Sequence, residues 1–132
     1  MKKVKLEKCK WALRKPLYIS KDDDRYIFFA KQLKDTGICE PETWGLSRVI
    51  VEFTLPRLKL FRKINPARPM GMSKEKWNKI LDKMIFAFEF VIMEDDLTEE
   101  YTKLDDKGRE DYWKRYHEGI RLFADYFMAL WW

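Results

Sequence analysis

The chain opens with a few apolar residues scattered among lysines. Val4, Leu6, Cys9 and Trp11 are too sparse within residues 2–11 for a core helix, and they predict an exposed strand or extended arm. The pattern then changes. Asp22, Asp23 and Asp24 offer an N-cap and charges that suit a helix dipole, ahead of Tyr26, Ile27, Phe28, Phe29, Ala30 and Leu33, with Gly37 as a natural stop. A first helix is predicted there. Pro41 marks a turn over residues 40–43, after which Leu46, Val49, Ile50, Phe53, Leu58 and Phe61 recur at helical spacing. Val49, Val51, Phe53 and Leu55 also alternate, and Pro56 removes an internal helix hydrogen bond. A short strand ending before Pro56 therefore competes with a helix bent at the proline, and the helix is the favoured reading.

Asn65, Pro66, Pro69 and Gly71 form a loop, and Ser73 is placed to cap a third helix. Its apolar face is broad: Trp77, Ile80, Leu81, Met84, Ile85, Phe88, Val91 and Ile92. The acids of residues 94–100 end that helix, and residues 105–108 read as a loop or the frayed start of the next. From Asp111 onward, Trp113, Tyr116, Ile120, Phe123, Phe127 and Leu130 fall at alternating steps of three and four, a strong amphipathic signature running to the end of the chain. No internal repeat or linker interrupts the pattern. The fold class predicted is mainly α: a compact bundle of about four helices around one aromatic-rich core, with or without a short N-terminal strand or arm. One domain over residues 1–132 is expected, residues 1–20 being its basic N-terminal segment.

Composition sharpens this in two ways. Hydrophobic residues make up 46% of the chain and aromatics 16%, which is too apolar for a disordered protein despite 37% charge. No run approaches the roughly 18 to 20 apolar residues of a membrane span, and the basic start is followed by neither an apolar core nor a cleavage site. A soluble cytoplasmic protein is expected, with Cys9 and Cys39 reduced and neither a disulfide framework nor a four-cysteine zinc site open to it. The net charge of +5 is unevenly spread: residues 57–79 carry basic side chains against Glu75 alone, while residues 94–111 are predominantly acidic. Such asymmetry favours an anionic ligand or a self-complementary oligomer.

Positive signs of catalysis are missing from the sequence. The lone His117 has only Asp111, Glu118 and Arg121 within helical reach, and a metal site would need ligands from remote segments. Glu94, Asp95, Asp96, Glu99 and Glu100 lack the ligand alternation and glycine turn of a calcium loop. Neither a phosphate-binding glycine loop nor a nucleophile elbow is present. No enzyme, metal or cofactor is therefore expected. The richest cluster is Arg57, Lys59, Arg62, Lys63 and Arg68, bracketed in sequence by Trp44 and Trp77. Guanidinium and ammonium groups neutralise phosphate and an indole face stacks on a base, which is the composition of a nucleotide site. The competing reading makes the tryptophans core residues and the bases a solvated face. Near the chain end, Trp113, Phe127, Trp131 and Trp132 are candidates for a homo-oligomer interface, with packing onto the protein's own core as the alternative.

Several motifs stand in fixed order between residues 44 and 131. They are Trp44-Gly45-Leu46; Leu55-Pro56-Arg57-Leu58-Lys59 with Phe61; the run from Trp77 to Ile85 with Ala87-Phe88-Glu89; and Glu118-Gly119 with Leu122-Phe123-Ala124 and Tyr126-Phe127. Together they resemble a family of small tailed-phage proteins that carries no established activity. Ser47 departs from the family's acidic residue, and the first forty residues fall outside the match. The resemblance implies a phage accessory protein at work in the cytoplasm of an infected bacterial host. Combined with the basic segment, it leads to the expectation of a non-enzymatic protein that binds an anionic host molecule, a nucleotide immune signal being the candidate, and so antagonises antiviral defence. The alternatives are a protein-binding inhibitor of a host enzyme and a structural or DNA-associated phage protein.

Overall fold

A computed structural model describes residues 15–131; the strand or arm expected over residues 2–11, and Trp132, lie outside them. The described residues are mainly helical and contain no strand. Five α-helices follow in order: α1 (Tyr26–Thr36), α2 (Leu46–Ile64), α3 (Lys74–Asp95), α4 (Glu99–Thr102) and α5 (Asp106–Asp125), with 3₁₀ turns at Glu40–Thr43 and Phe127–Ala129. They group into two compact units, residues 15–53 and residues 54–131, and the division falls inside α2.

In the first unit, α1 starts differently from the sequence expectation. Its N-cap is Arg25, which makes no side-chain cap. Asp23 is used one step earlier: its carboxylate accepts the Arg25 backbone N–H at 2.9 Å and also holds the Arg25 guanidinium, so it shapes the turn before the helix. The stop is as expected. Gly37 adopts φ 84°, a left-handed conformation that costs a residue with a Cβ, and its N–H closes on the Leu33 carbonyl at 2.8 Å. One hydrogen bond then ties the following turn to α1, and a second closes the turn on itself. Gln32 Oε1 accepts the Glu40 N–H at 2.8 Å, and the buried Glu42 carboxylate accepts the Cys39 N–H at 2.6 Å. Phe29, Leu33 and Cys39 form a small core, with Ile19 against it.

The helix through Pro56 wins over the strand alternative, and it buries only part of the face expected, Val49 and Leu58, with Val51 and Leu55 added. Val49, Val51, Leu55 and Leu58 are buried, whereas Leu46, Ile50 and Phe53 are exposed. This helix is apolar nearly all round its first half, so periodicity alone does not choose the face.

In the second unit, α3 packs along α5. Ser73 caps α3 as expected, accepting the Lys76 N–H, and the helix buries Trp77, Leu81, Met84, Ala87, Phe88 and Phe90. The helices can approach closely because α5 carries Gly119 at the contact. A Cβ there would lie 2.3 Å from the Lys83 carbonyl oxygen and 2.6 Å from the Ala87 Cβ. One residue before Gly119, Glu118 meets Lys83 in an ion pair at 2.6 Å. Phe88 meets Phe123 edge to face at 5.0 Å, and Phe90 lies among Tyr112, Trp113 and Tyr116. The start of α5 is earlier than the apolar period indicates, because Asp105 caps it by accepting the Gly108 N–H at 2.7 Å. Its end is also earlier. The stripe expected to run to Leu130 leaves the α-helix at Asp125, and Phe127–Ala129 tightens into a 3₁₀ turn.

Candidate binding site

The cavity identified in the structure belongs wholly to the first unit. It is an open depression of about 680 Å³ lined by Asp24, Arg25, Phe28, Phe29, Glu40, Thr43 and Trp44. Its size falls within the roughly 300 to 1,000 Å³ of small-ligand pockets. Two short stretches build it. Arg25, Phe28 and Phe29 stand at i, i+3 and i+4 at the start of α1, and Glu40, Thr43 and Trp44 repeat that spacing through the 3₁₀ turn, so each stretch presents one face. The bond from Gln32 ties the second stretch to α1, and the bond from Glu42 sets the turn itself.

Aromatic geometry governs the interior. Phe29 meets Trp44 edge to face at 5.8 Å and Phe28 at 5.5 Å. The Arg25 guanidinium lies 5.4 Å from the Trp44 ring and 5.8 Å from the Phe29 ring, within cation–π range of both. Its charge is spent on Asp23 through a two-pronged contact, Nε to Oδ1 at 3.0 Å and Nη2 to Oδ2 at 2.9 Å. That hydrogen bonding holds the Asp23 carboxyl down at about 2 and raises the Arg25 pKa further. Asp24 and Glu40 remain in the wall as exposed carboxylates. Phe28 is 61% exposed and Trp44 51% exposed, so aromatic surface is open to an incoming group.

The residues expected to form an anion site fall differently. Trp44 lies in the first unit, against Phe29 and Arg25. Trp77 is 0% exposed in the second unit and donates its indole N–H to the Ala67 carbonyl at 3.0 Å, so no ring face is left for a base to stack on. Lys59 pairs with Glu89 at 2.9 Å. Arg62 makes a forked contact with Asp82, at 2.9 and 3.3 Å, which raises its pKa. Arg57, Lys63 and Arg68 are exposed. Part of the basic segment therefore ties α2 to α3 instead of facing a ligand, and the acids that neutralise it come from the middle of α3, which the charge tally along the chain does not reveal.

At the other end, Trp113 packs edge-on against Phe90 at 5.0 Å with its outer side exposed. Phe127 and Trp131 are exposed, as is Met128 between them; Trp132 lies outside the described residues. His117 touches the rings of Trp113 and Tyr116, and among the described residues no group of three potential ligands is gathered for a metal ion. No described helix is long and apolar enough to cross a membrane. Sequence reading missed Asp24, Arg25, Phe28, Phe29, Glu40 and Thr43 as site residues. The signal available was the repeated i, i+3, i+4 spacing on either side of Gly37. No family model, curated protein or solved structure matches the chain.

Proposed function

We propose that the chain is a non-enzymatic, protein-binding protein whose contact surface is the apolar face of residues 15–53. One observation carries this reading: in so short a unit, Ile27, Phe28, Ile38, Trp44, Leu46 and Ile50 are all exposed. Single exposed apolar side chains are ordinary, but a concentration of large ones in one small unit is the mark of a surface that another molecule covers. Leu46, Ile50 and Phe53 also stand at i, i+4 and i+7, the spacing of a helix that presents anchors to a partner. The tailed-phage resemblance supplies the setting: an accessory protein that inhibits a host protein in the cytoplasm of an infected bacterium.

Photo-cross-linking tests it. A benzophenone residue at position 50 should give one discrete adduct in bacterial extract, and the same residue at position 63 should give none. Binding of the captured protein should fall when Ile27 and Ile50 are changed to serine. Equal labelling from both positions, or adducts made only of two copies of the chain, would defeat the proposal.

The anionic-ligand reading keeps the exposed Lys63 and Arg68, for which no ion pair is found among the described residues. It requires that Lys63→Glu with Arg68→Glu abolish salt-sensitive retention of a nucleotide. Self-association through Phe127, Met128 and Trp131 is proposed separately on their exposure. A single monomer species in sedimentation at high micromolar concentration excludes it.

A further inference from the structure

We infer that the Trp44 cavity receives a positively charged side chain, an arginine of the protein partner; the inference rests on the protein-binding reading above and names the chemistry of its central contact. The sign of the cavity is the opposite of the chain's. The chain as a whole carries +5, yet around this depression Asp23, Asp24 and Glu40 stand against Arg25, a local sum of −2. Because Asp23 already neutralises Arg25 through a forked contact, Asp24 and Glu40 are the charges left to a ligand, and they repel phosphate. The remaining lining is aromatic. Exposed indole and phenyl faces attract cations through the negative potential of their π systems, and a guanidinium stacks on them especially well because it is planar and weakly hydrated.

Arg25 shows the arrangement at work within the protein. Its guanidinium occupies the position of a cation over Trp44 and Phe29 while a carboxylate grips its edge. An incoming arginine finds the same pairing a step further out, on the open surfaces of Trp44 and Phe28, with Glu40 and Asp24 to take its N–H groups. The Thr43 hydroxyl spends its proton on the Glu40 carbonyl at 2.7 Å, and its oxygen keeps the lone pairs that accept an N–H. Recognition thus depends on charge and stacking together. A neutral planar group keeps only the stacking, and a phosphate keeps neither.

The test uses the full chain and short peptides that differ at one position, arginine or its neutral isostere citrulline, with the Trp44 indole N–H followed by NMR. The arginine peptide should shift that resonance saturably, and citrulline should bind about tenfold more weakly. Asp24→Asn with Glu40→Gln should remove the preference while the other indole resonances stay in place. Arg25→Gln discriminates further: it should leave arginine binding intact or strengthen it, because it frees Asp23 and the ring faces, whereas it would abolish binding at an anion site. Equal affinity for citrulline, or a larger response to inorganic phosphate or adenosine monophosphate, overturns the inference. Should the partner captured at position 50 bind the Asp24→Asn, Glu40→Gln variant unchanged, the arginine assignment fails and the docking surface stands. Should no partner be captured while the arginine peptide still binds at Trp44, the docking surface fails and the site stands.

Discussion

Residues 15–53 and residues 54–131 use the same kinds of residue to opposite ends. Both are rich in aromatics. In the second unit the rings are turned into a core: Phe90 lies among Tyr112, Trp113 and Tyr116, and Trp77 is sealed with its N–H satisfied by Ala67. In the first unit Phe29, Leu33 and Cys39 cluster beside a turn, while Phe28 and Trp44 remain at the surface. Their charges differ in the same way. Lys59, Arg62 and Lys83 pair with Glu89, Asp82 and Glu118 across neighbouring helices, whereas the forked contact between Arg25 and Asp23 is local and sits on an aromatic cavity. One region packs most of the rings named here against each other, and the other leaves two of them at its surface.

Matched truncations are the strongest way to break that contrast. Phe90→Ala removes a ring at the centre of the second unit's core and should cost about 3 to 5 kcal/mol. Phe28→Ala removes a ring from the surface and should change stability by less than about 0.5 kcal/mol, while weakening partner binding. Chemical denaturation measures both. Comparable destabilisation by the two would mean that Phe28 is a core residue in solution.

The two glycines offer a second, smaller contrast. Gly119→Ala drives a methyl group onto the Lys83 carbonyl and the Ala87 side chain, so the helices must separate, at a cost of about 3 kcal/mol. Gly37→Ala meets no atom within 4 Å and is penalised by its backbone conformation alone, at about 1 to 2 kcal/mol. A shift in denaturation midpoint for Gly37→Ala as large as that for Gly119→Ala would show that the turn after α1 carries more of the stability than its packing implies.

Much of this was legible in the sequence where a single physical rule decides the matter. The stop at Gly37 and the cap at Ser73 follow from backbone conformation and an orphan N–H, and the structure keeps both. Of the α3 face set by apolar spacing, Trp77, Ile80, Leu81, Met84 and Phe88 are buried, while Ile85, Val91 and Ile92 are half-buried and Phe90 joins the core unannounced. Where rules compete, the sequence is silent. The first half of α2 is apolar on several sides, so the choice to bury Val51 and Leu55 and expose Ile50 and Phe53 comes from tertiary packing. The basic segment misled for a related reason: adding charges along a chain counts Arg62 as open to a ligand, whereas folding brings Asp82 to it from another helix. The cavity escaped notice because each of its halves is too short to announce itself, and the pairing depends on a turn set by Gln32 and Glu42.

The Arg62–Asp82 contact permits a prediction of intermediate size. Arg62→Gln breaks a partly exposed forked pair and should cost about 0.5 to 1 kcal/mol, measured by urea denaturation. Retention of phosphate ligands should be unchanged, because this charge serves the helices. A loss of nucleotide binding with no change in stability would return Arg62 to a binding role.

The smallest effect expected, and the most local, is the response of the first unit to acid. Hydrogen bonding from Arg25 lowers the Asp23 carboxyl from an ordinary 3.8 to about 2. A carboxyl depressed in the folded state favours folding above its unfolded value, and that contribution is lost as pH falls through the folded value, here between about 3.8 and about 2. Because the Asp23–Arg25 pair lies at the surface and joins residues two apart, the change should appear as a local rearrangement and not as unfolding. Protonation releases the fork that holds Arg25 over Trp44, so the Trp44 indole resonance should move with a midpoint near 2, while the sealed Trp77 resonance stays still. Arg25→Gln removes the largest cause but keeps the backbone N–H bond, so it should return the Asp23 midpoint part of the way towards 3.8, which carbon-13 titration of the carboxyl reads directly. A midpoint near 3.8 in the parent chain would mean that Arg25 does not keep to Asp23 in solution, and that the Trp44 face is more open to an incoming cation than the structure shows.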